Sequence, residues 1–197
     1  MNKRIRSLLV LLVPLCTANA QDTTGISTVT FGLGAGRPVN PTYTTGGPQL
    51  NGSYEYRFLK HWAVEFGVDT SLVKTGNYAV IVTYPASGTI LTGPSSYSYS
   101  YSKINAFATS MPFGFRGILP LSQGRLELFG GGGGAYLWNP NSNDGGWGWQ
   151  ASLGARLAVD KHRRYWLGTT GRYVRSNWAN PSQWITWTAD LGFRFGH

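Results

Sequence analysis

Trp184-Ile185-Thr186-Trp187-Thr188-Ala189-Asp190-Leu191-Gly192-Phe193-Arg194-Phe195 is the stretch that decides the fold. From Trp187 onward one parity reads Trp, Ala, Leu, Phe, Phe, and the other reads Thr, Asp, Gly, Arg. Successive side chains of a strand point to opposite faces, so this is a strand of about ten residues with one apolar face. Large aromatics occupy that face, while Asp190 and Arg194 occupy the other. A soluble sheet turns such aromatics inward. A membrane-spanning barrel turns them to lipid and keeps the charges in a polar interior.

Working back along the chain, seven more segments alternate, over 29–36, 50–58, 62–72, 104–119, 125–138, 147–159 and 165–175. In the segment over 147–159, Trp147, Trp149, Ala151, Leu153, Ala155, Leu157 and Val159 oppose Gly148, Gln150, Ser152, Gly154 and Arg156. Pro112 is awkward within a strand and predicts a bulge or a local break. The links also alternate. Those after the second, fourth and sixth segments are short, and those after the first, third, fifth and seventh are longer and rich in Gly, Asn, Pro, Ser and Thr. Short turns at one end and long loops at the other are the habit of outer-membrane barrels. The longest of the long links is expected over about 73–103.

The beginning of the chain fits export. Lys3, Arg4 and Arg6 precede the apolar run 8–15, and Ala18-Asn19-Ala20 follows, the three regions of a cleaved secretory signal. The run is far shorter than the roughly 20 residues of a transmembrane helix. The expected domains are therefore a signal peptide over 1–20 and one β-barrel over 21–197. The sole cysteine, Cys16, leaves with the signal, which excludes disulfides, thiol catalysis and a cysteine metal site in the mature chain. Loss of the three signal cations lowers the net charge from +9 to +6. The remaining cations are scattered, so nucleic acid is not an expected partner, and attraction to anionic lipid or surface polysaccharide is the better use of the charge.

Ten charges fall on the polar parity: Glu55, Arg57, Glu65, Asp69, Arg116, Glu127, Arg156, Arg172, Asp190 and Arg194. Five acids meet five bases, as a pairing network in a narrow interior requires, because an unpaired charge there costs several kcal/mol. An eight-stranded barrel is just wide enough for side chains to fill it. The expected product is a plugged, all-β, eight-stranded antiparallel up-and-down transmembrane barrel.

On strand pattern, loop alternation, interior charge and the terminal aromatic strand, residues 29–195 resemble the small outer-membrane β-barrel family, the OmpA-like transmembrane domain and its relatives. The resemblance implies residence in the outer membrane of a Gram-negative-type bacterium, contact with its lipid and lipopolysaccharide, and a monomeric state. It also implies an assembly signal read by the outer-membrane assembly machinery, here Phe193 and Phe195. Family members usually end on the aromatic residue, whereas Phe195 is followed by Gly196 and His197.

Chemistry is sparse. Some barrels of this size resemble membrane enzymes with a histidine near the external rim. By the strand count, His61, His162 and His197 all belong to the opposite end. A nucleophile without an adjacent base is not activated at neutral pH, so no catalytic residue is assigned. No metal site or cofactor is expected either. The glycine runs 32–36 and 130–134 lack the spacing and the following helix of a phosphate loop, and are expected to make room between strands. Tyr54, Tyr56, Trp62, Trp147, Trp149, Trp166, Trp178, Trp184 and Trp187 cluster toward strand ends and are expected to form interfacial girdles.

Tyr97, Tyr99 and Tyr101 alternate with serines in the long link, opposite a Val80 and Val82 stretch that can pair with it as a hairpin. Tyr and Ser together form a binding-prone surface, which makes these tyrosines the candidate loop contact. The expected role is structural or interactive, through external loops that touch a surface ligand. The alternatives are a narrow pore or conduit for small solutes or hydrophobic molecules, and a soluble calyx with its aromatic face turned inward.

Overall fold

The computed structural model describes residues 24–39, 44–83, 96–139, 144–176 and 183–196. The expected signal segment, together with Trp178 and His197, lies outside the described residues. Eight long strands follow one another: β1 Ile26–Pro38, β2 Gly47–Leu59, β3 Trp62–Thr83, β4 Ser96–Leu121, β5 Leu126–Asn139, β6 Asp144–Ala158, β7 Tyr165–Ser176 and β8 Gln183–Phe195. Each pairs antiparallel with the next. β1 also pairs with β8, from Ser27 opposite Phe195 to Pro38 opposite Trp184. The sheet is a closed ring, with no free edge around its wall.

The short connections are those at Lys60 and His61, at the 3₁₀ turn Ser122–Gly124, and over 159–164. Tight reversals of this kind use left-handed backbone. Ser122, Gln123 and Arg163 have φ between 48° and 57°, and Gly124 has φ 80°.

The hairpin that the Val80 and Val82 stretch allows in the long link is formed, and it continues the two strands. β3 and β4 pair continuously from Asp69 opposite Ser110 to Thr83 opposite Ser96. The segment expected as a loop over about 73–103 is therefore strand at both of its ends. The Tyr–Ser alternation and Val80-Ile81-Val82 have high strand propensity of their own, which favours extension of the ladder. Pairing of β4 with β5 starts only at Thr109 opposite Trp138, so a two-stranded ribbon continues beyond the ring.

At Pro112 the outcome is a local break and not a bulge. Phe66 pairs with Phe113 and Asp69 with Ser110, in the same register, but the two pairs between them are missing. Proline has no N–H to give to the ladder. Its ring lies 3.3 Å from where a Cβ on Gly67 would stand.

Alternation sorts the side chains. Phe31, Leu33, Phe66, Phe115, Trp147, Leu153, Trp187 and Leu191 are each more than half exposed on the outer wall. Polar residues fill the inside. Three cross-strand pairs lay a ring over a glycine: Phe113 over Gly134, Phe129 over Gly154 and Trp187 over Gly171. A Cβ at any of the three glycines would stand within 3.0 Å of the ring. These glycines make room for aromatics, and of the three only Gly134 belongs to the runs where such room was expected.

Candidate functional site

Among the described residues the interior is the place where the fold concentrates charged groups, and register builds it. All ten charged residues on the polar parity are at least nine-tenths buried. Glu127, on β5, receives three arginines: Oε2 accepts from Arg57 Nη2 at 3.0 Å, Arg156 Nε at 2.7 Å and Arg194 Nη2 at 2.8 Å. Glu55 accepts from Arg156 Nη2 at 2.7 Å and Arg116 Nη1 at 3.0 Å. Arg116 and Arg172 each reach Glu65 Oε1 at 2.5 Å, and Arg172 also donates to Asp69 at 2.5 Å. Asn51 completes Asp69 from the neighbouring strand. Nine of the ten charges form one connected layer across seven strands.

Asp190 stands apart. Its Oδ2 accepts from Thr170 Oγ1, while Oδ1 has no hydrogen-bond partner. Gly32 faces it so closely that a Cβ there would lie 2.2 Å from Oδ1. This glycine leaves space for a carboxylate.

Two aromatic rings belong to the same layer. Arg116 lies 4.2 Å above the centre of the Phe129 ring, and Arg194 lies 4.1 Å above that of Trp166. A guanidinium over an aromatic face in a dry interior gains from the ring quadrupole. Trp166 and Trp184 correct the girdle expectation, since they are 1% and 4% exposed and sit inside. Their parity explains it: Trp166 shares a face with Gly168, Thr170 and Arg172, and Trp184 with Thr186, Thr188 and Asp190. Position near a strand end was a weaker signal than parity. Tyr54, Tyr56, Trp62, Trp147, Trp149 and Trp187 are exposed on the outer wall.

Two apolar clusters fill space that the charges leave, one among them and one beyond them. Ala63, Ile118 and Phe129 pack together toward the short-turn end. Val73, Ala135, Leu137, Val174 and Trp184 pack together toward the long-loop end. A cavity of about 20 Å³ lies between Asp69, Ser110, Val174 and Trp184, and another of about 20 Å³ lies beside Asp190, Thr170 and Trp166. Each has room for about one water molecule, and neither for a solute.

The remaining candidates lie elsewhere. Tyr97, Tyr99 and Tyr101 stand opposite Val82, Val80 and Tyr78 in the β3–β4 ribbon, where only the backbone is described. Phe193 and Phe195 lie on the outer wall at the end of β8, with ring centres 6.0 Å apart. His61 and His162 are in short turns, His61 Nδ1 lying 3.1 Å from the Ile118 carbonyl oxygen.

No family model and no curated protein sequence matches the chain. Solved structures do. The outer membrane protein OprG from Pseudomonas aeruginosa superposes with a TM-score of 0.61 at 10% identity, over 90% of this chain and 99% of that one. Ail, the attachment invasion locus protein of Yersinia pestis, in complex with the heparin analogue sucrose octasulfate, does so with a TM-score of 0.54 at 14% identity, over 88% of this chain and 100% of that one. This chain has the fold of a small outer-membrane β-barrel. The outer-membrane barrel reading fits both surfaces of the wall, aromatic outside and ionic inside. It also removes the calyx alternative, because the bulky apolar face is on the exterior.

Proposed function

We propose that the protein is exported by the signal over 1–20, resides in a Gram-negative outer membrane, and works there as a closed barrel whose external loops make contacts at the cell surface. The observation that carries this reading is the filled lumen, an ionic layer with one apolar cluster packed into it and another toward the long-loop end. Such a lumen leaves the outside of the barrel and its loops as the working surfaces. Lipid and lipopolysaccharide meet the aromatic wall, Phe193 and Phe195 serve the assembly machinery, and the barrel works as a monomer without catalytic chemistry.

The Tyr97, Tyr99 and Tyr101 ribbon is the proposed ligand contact. Ail has been captured with a heparin analogue, and a polyanionic glycan suits a basic chain such as this one. The test is membrane fractionation of expressing cells, with boiled and unboiled samples compared by electrophoresis, and protease treatment of intact cells. An outer-membrane band that shifts on boiling and is cut within the external loop expected over about 73–103 supports the reading. A soluble periplasmic protein with no shift would end it.

One observation favours a second reading, a lateral conduit for small hydrophobic molecules. The backbone ladder lapses between β3 and β4 beside Pro112, and a lapse in the wall is where a molecule could leave the lumen for lipid. Uptake of a hydrophobic dye into vesicles containing the barrel separates the two readings.

A further inference from the structure

Five of the nine cations that lie outside both the expected signal and the lumen are gathered at one end of the barrel. The interior holds five acids and five arginines, so the net charge of the barrel lies outside it. The three short turns carry Lys60, Arg125, Lys161, Arg163 and Arg164. None of these five makes an ion pair among the described residues. Asp160 is the single acid in these turns, and its carboxylate is already engaged by the backbone N–H groups of Tyr165 at 2.9 Å and His162 at 3.1 Å. The guanidinium of Arg163 reaches the neighbouring turn, where a Cβ on Gly124 would lie 3.0 Å from its Nη1. Two of the turns thus share one basic surface.

Aromatics place that surface relative to lipid. Phe58, Trp62, Phe115, Tyr165, Phe193 and Phe195 are exposed on the outer wall at this end. Phe58 and Phe115 meet edge to face, and Tyr165 packs on Phe193. Exposed aromatics mark the level where hydrocarbon gives way to headgroups. Lys60 stands between Phe58 and Trp62 in the chain, and Arg164 adjoins Tyr165. The cations therefore begin at the headgroup level and not in bulk water, which favours a lipid partner over a soluble acidic one.

We propose that the short-turn end binds phosphodiester headgroups and gathers anionic phospholipid around the barrel in the leaflet it faces. This rests on the membrane-spanning reading above, which the boiling shift tests separately. The experiment uses the mature barrel folded into phosphatidylcholine vesicles containing spin-labelled phosphatidylglycerol or spin-labelled phosphatidylcholine as probes. Electron spin resonance then gives the relative occupancy of the lipid shell. The wild type should enrich phosphatidylglycerol by at least about twofold, and high salt should remove the preference.

The variant carrying Lys60→Gln, Arg125→Gln, Lys161→Gln, Arg163→Gln and Arg164→Gln should lose the enrichment, while Arg37→Gln with Arg175→Gln, at the opposite rim, should keep it. If the fivefold variant does not fold, Lys60→Gln with Lys161→Gln should still lower the enrichment. Inorganic phosphate that abolishes the preference more strongly than chloride of equal ionic strength would assign the surface to free phosphate and overturn the lipid assignment. A folded wild type with no preference for phosphatidylglycerol, or a preference that follows the Arg37 and Arg175 variant, would overturn the proposal, the former in favour of a soluble acidic partner.

Discussion

Arg156 and Glu55, 101 residues apart in the chain, meet with 2.7 Å between Nη2 and Oε1 inside the barrel. Their strands, β6 and β2, are four apart on an eight-strand ring, so the contact runs across the full interior. The same guanidinium holds Glu127 through Nε at 2.7 Å. One side chain thereby ties opposite walls together across the lumen.

Replacing Arg156 with Met removes a shared partner from two buried carboxylates. Breaking a buried pair in this way costs about 3–5 kcal/mol. Urea unfolding of the barrel in lipid vesicles should show a loss in that range. Glu55→Gln combined with Arg156→Met should cost less than the sum of the two single changes, with a coupling of about 1 kcal/mol or more. Simple additivity would mean that the pair does not act as a unit.

Gly154→Ala probes the ring-over-glycine packing. The new Cβ would stand 2.3 Å from the Thr169 carbonyl oxygen and 2.4 Å from the Phe129 ring. Both neighbours are held, so the strand pair must shift, at about 1–3 kcal/mol. The same urea titration measures it. Gly130→Ala, whose nearest neighbour is 3.7 Å away, should change stability much less.

Pro112→Ala restores an N–H opposite Gly67, where the ladder lapses. Hydrogen exchange should show a newly protected amide at 112 and slower exchange at 67 and 68. If dye uptake into vesicles falls as that protection appears, the lateral reading gains ground. Unchanged uptake would remove it.

The turn between β6 and β7 carries a pH dependence with a definite sign. Backbone N–H groups, Tyr165 first, hold the Asp160 carboxyl below the usual aspartate range. A carboxyl whose pKa is depressed on folding stabilises the turn above its unfolded pKa and loses that contribution as pH falls through the folded one. Titration by NMR should place the Asp160 midpoint below the usual aspartate range, with faster exchange of the Tyr165 amide at more acid pH. Asp160→Asn should abolish that dependence.

Much of this architecture can be read from parity alone. The alternation of β6 and β8 gives their faces directly, and with a closed ring of eight strands the polar parity is the interior one. Trp166 and Trp184 were misread because their distance from a strand end was weighed above their parity. Phe129 was missed as an interior ring, since the glycines after it erase the alternation of β5. Its counterpart Gly154 becomes meaningful only once the register sets the two side by side. The length of β3 and β4 was legible only as a hairpin that the Val80 and Val82 stretch allows. A Tyr–Ser alternation looks the same as a surface loop or as strand, and the partner across the ribbon decides which it is. The partition of the ten charges into specific pairs depends on register across the lumen, which no local pattern carries.

The closed lumen is the central claim, and planar-bilayer recording of the purified, refolded barrel tests it most directly. The filled interior predicts a flat baseline in molar salt for the wild type, with channel steps appearing only when the packing is opened, as in Arg156→Ala with Phe129→Ala. Regular unit steps from the wild-type barrel, with the same conductance in that variant, would contradict it.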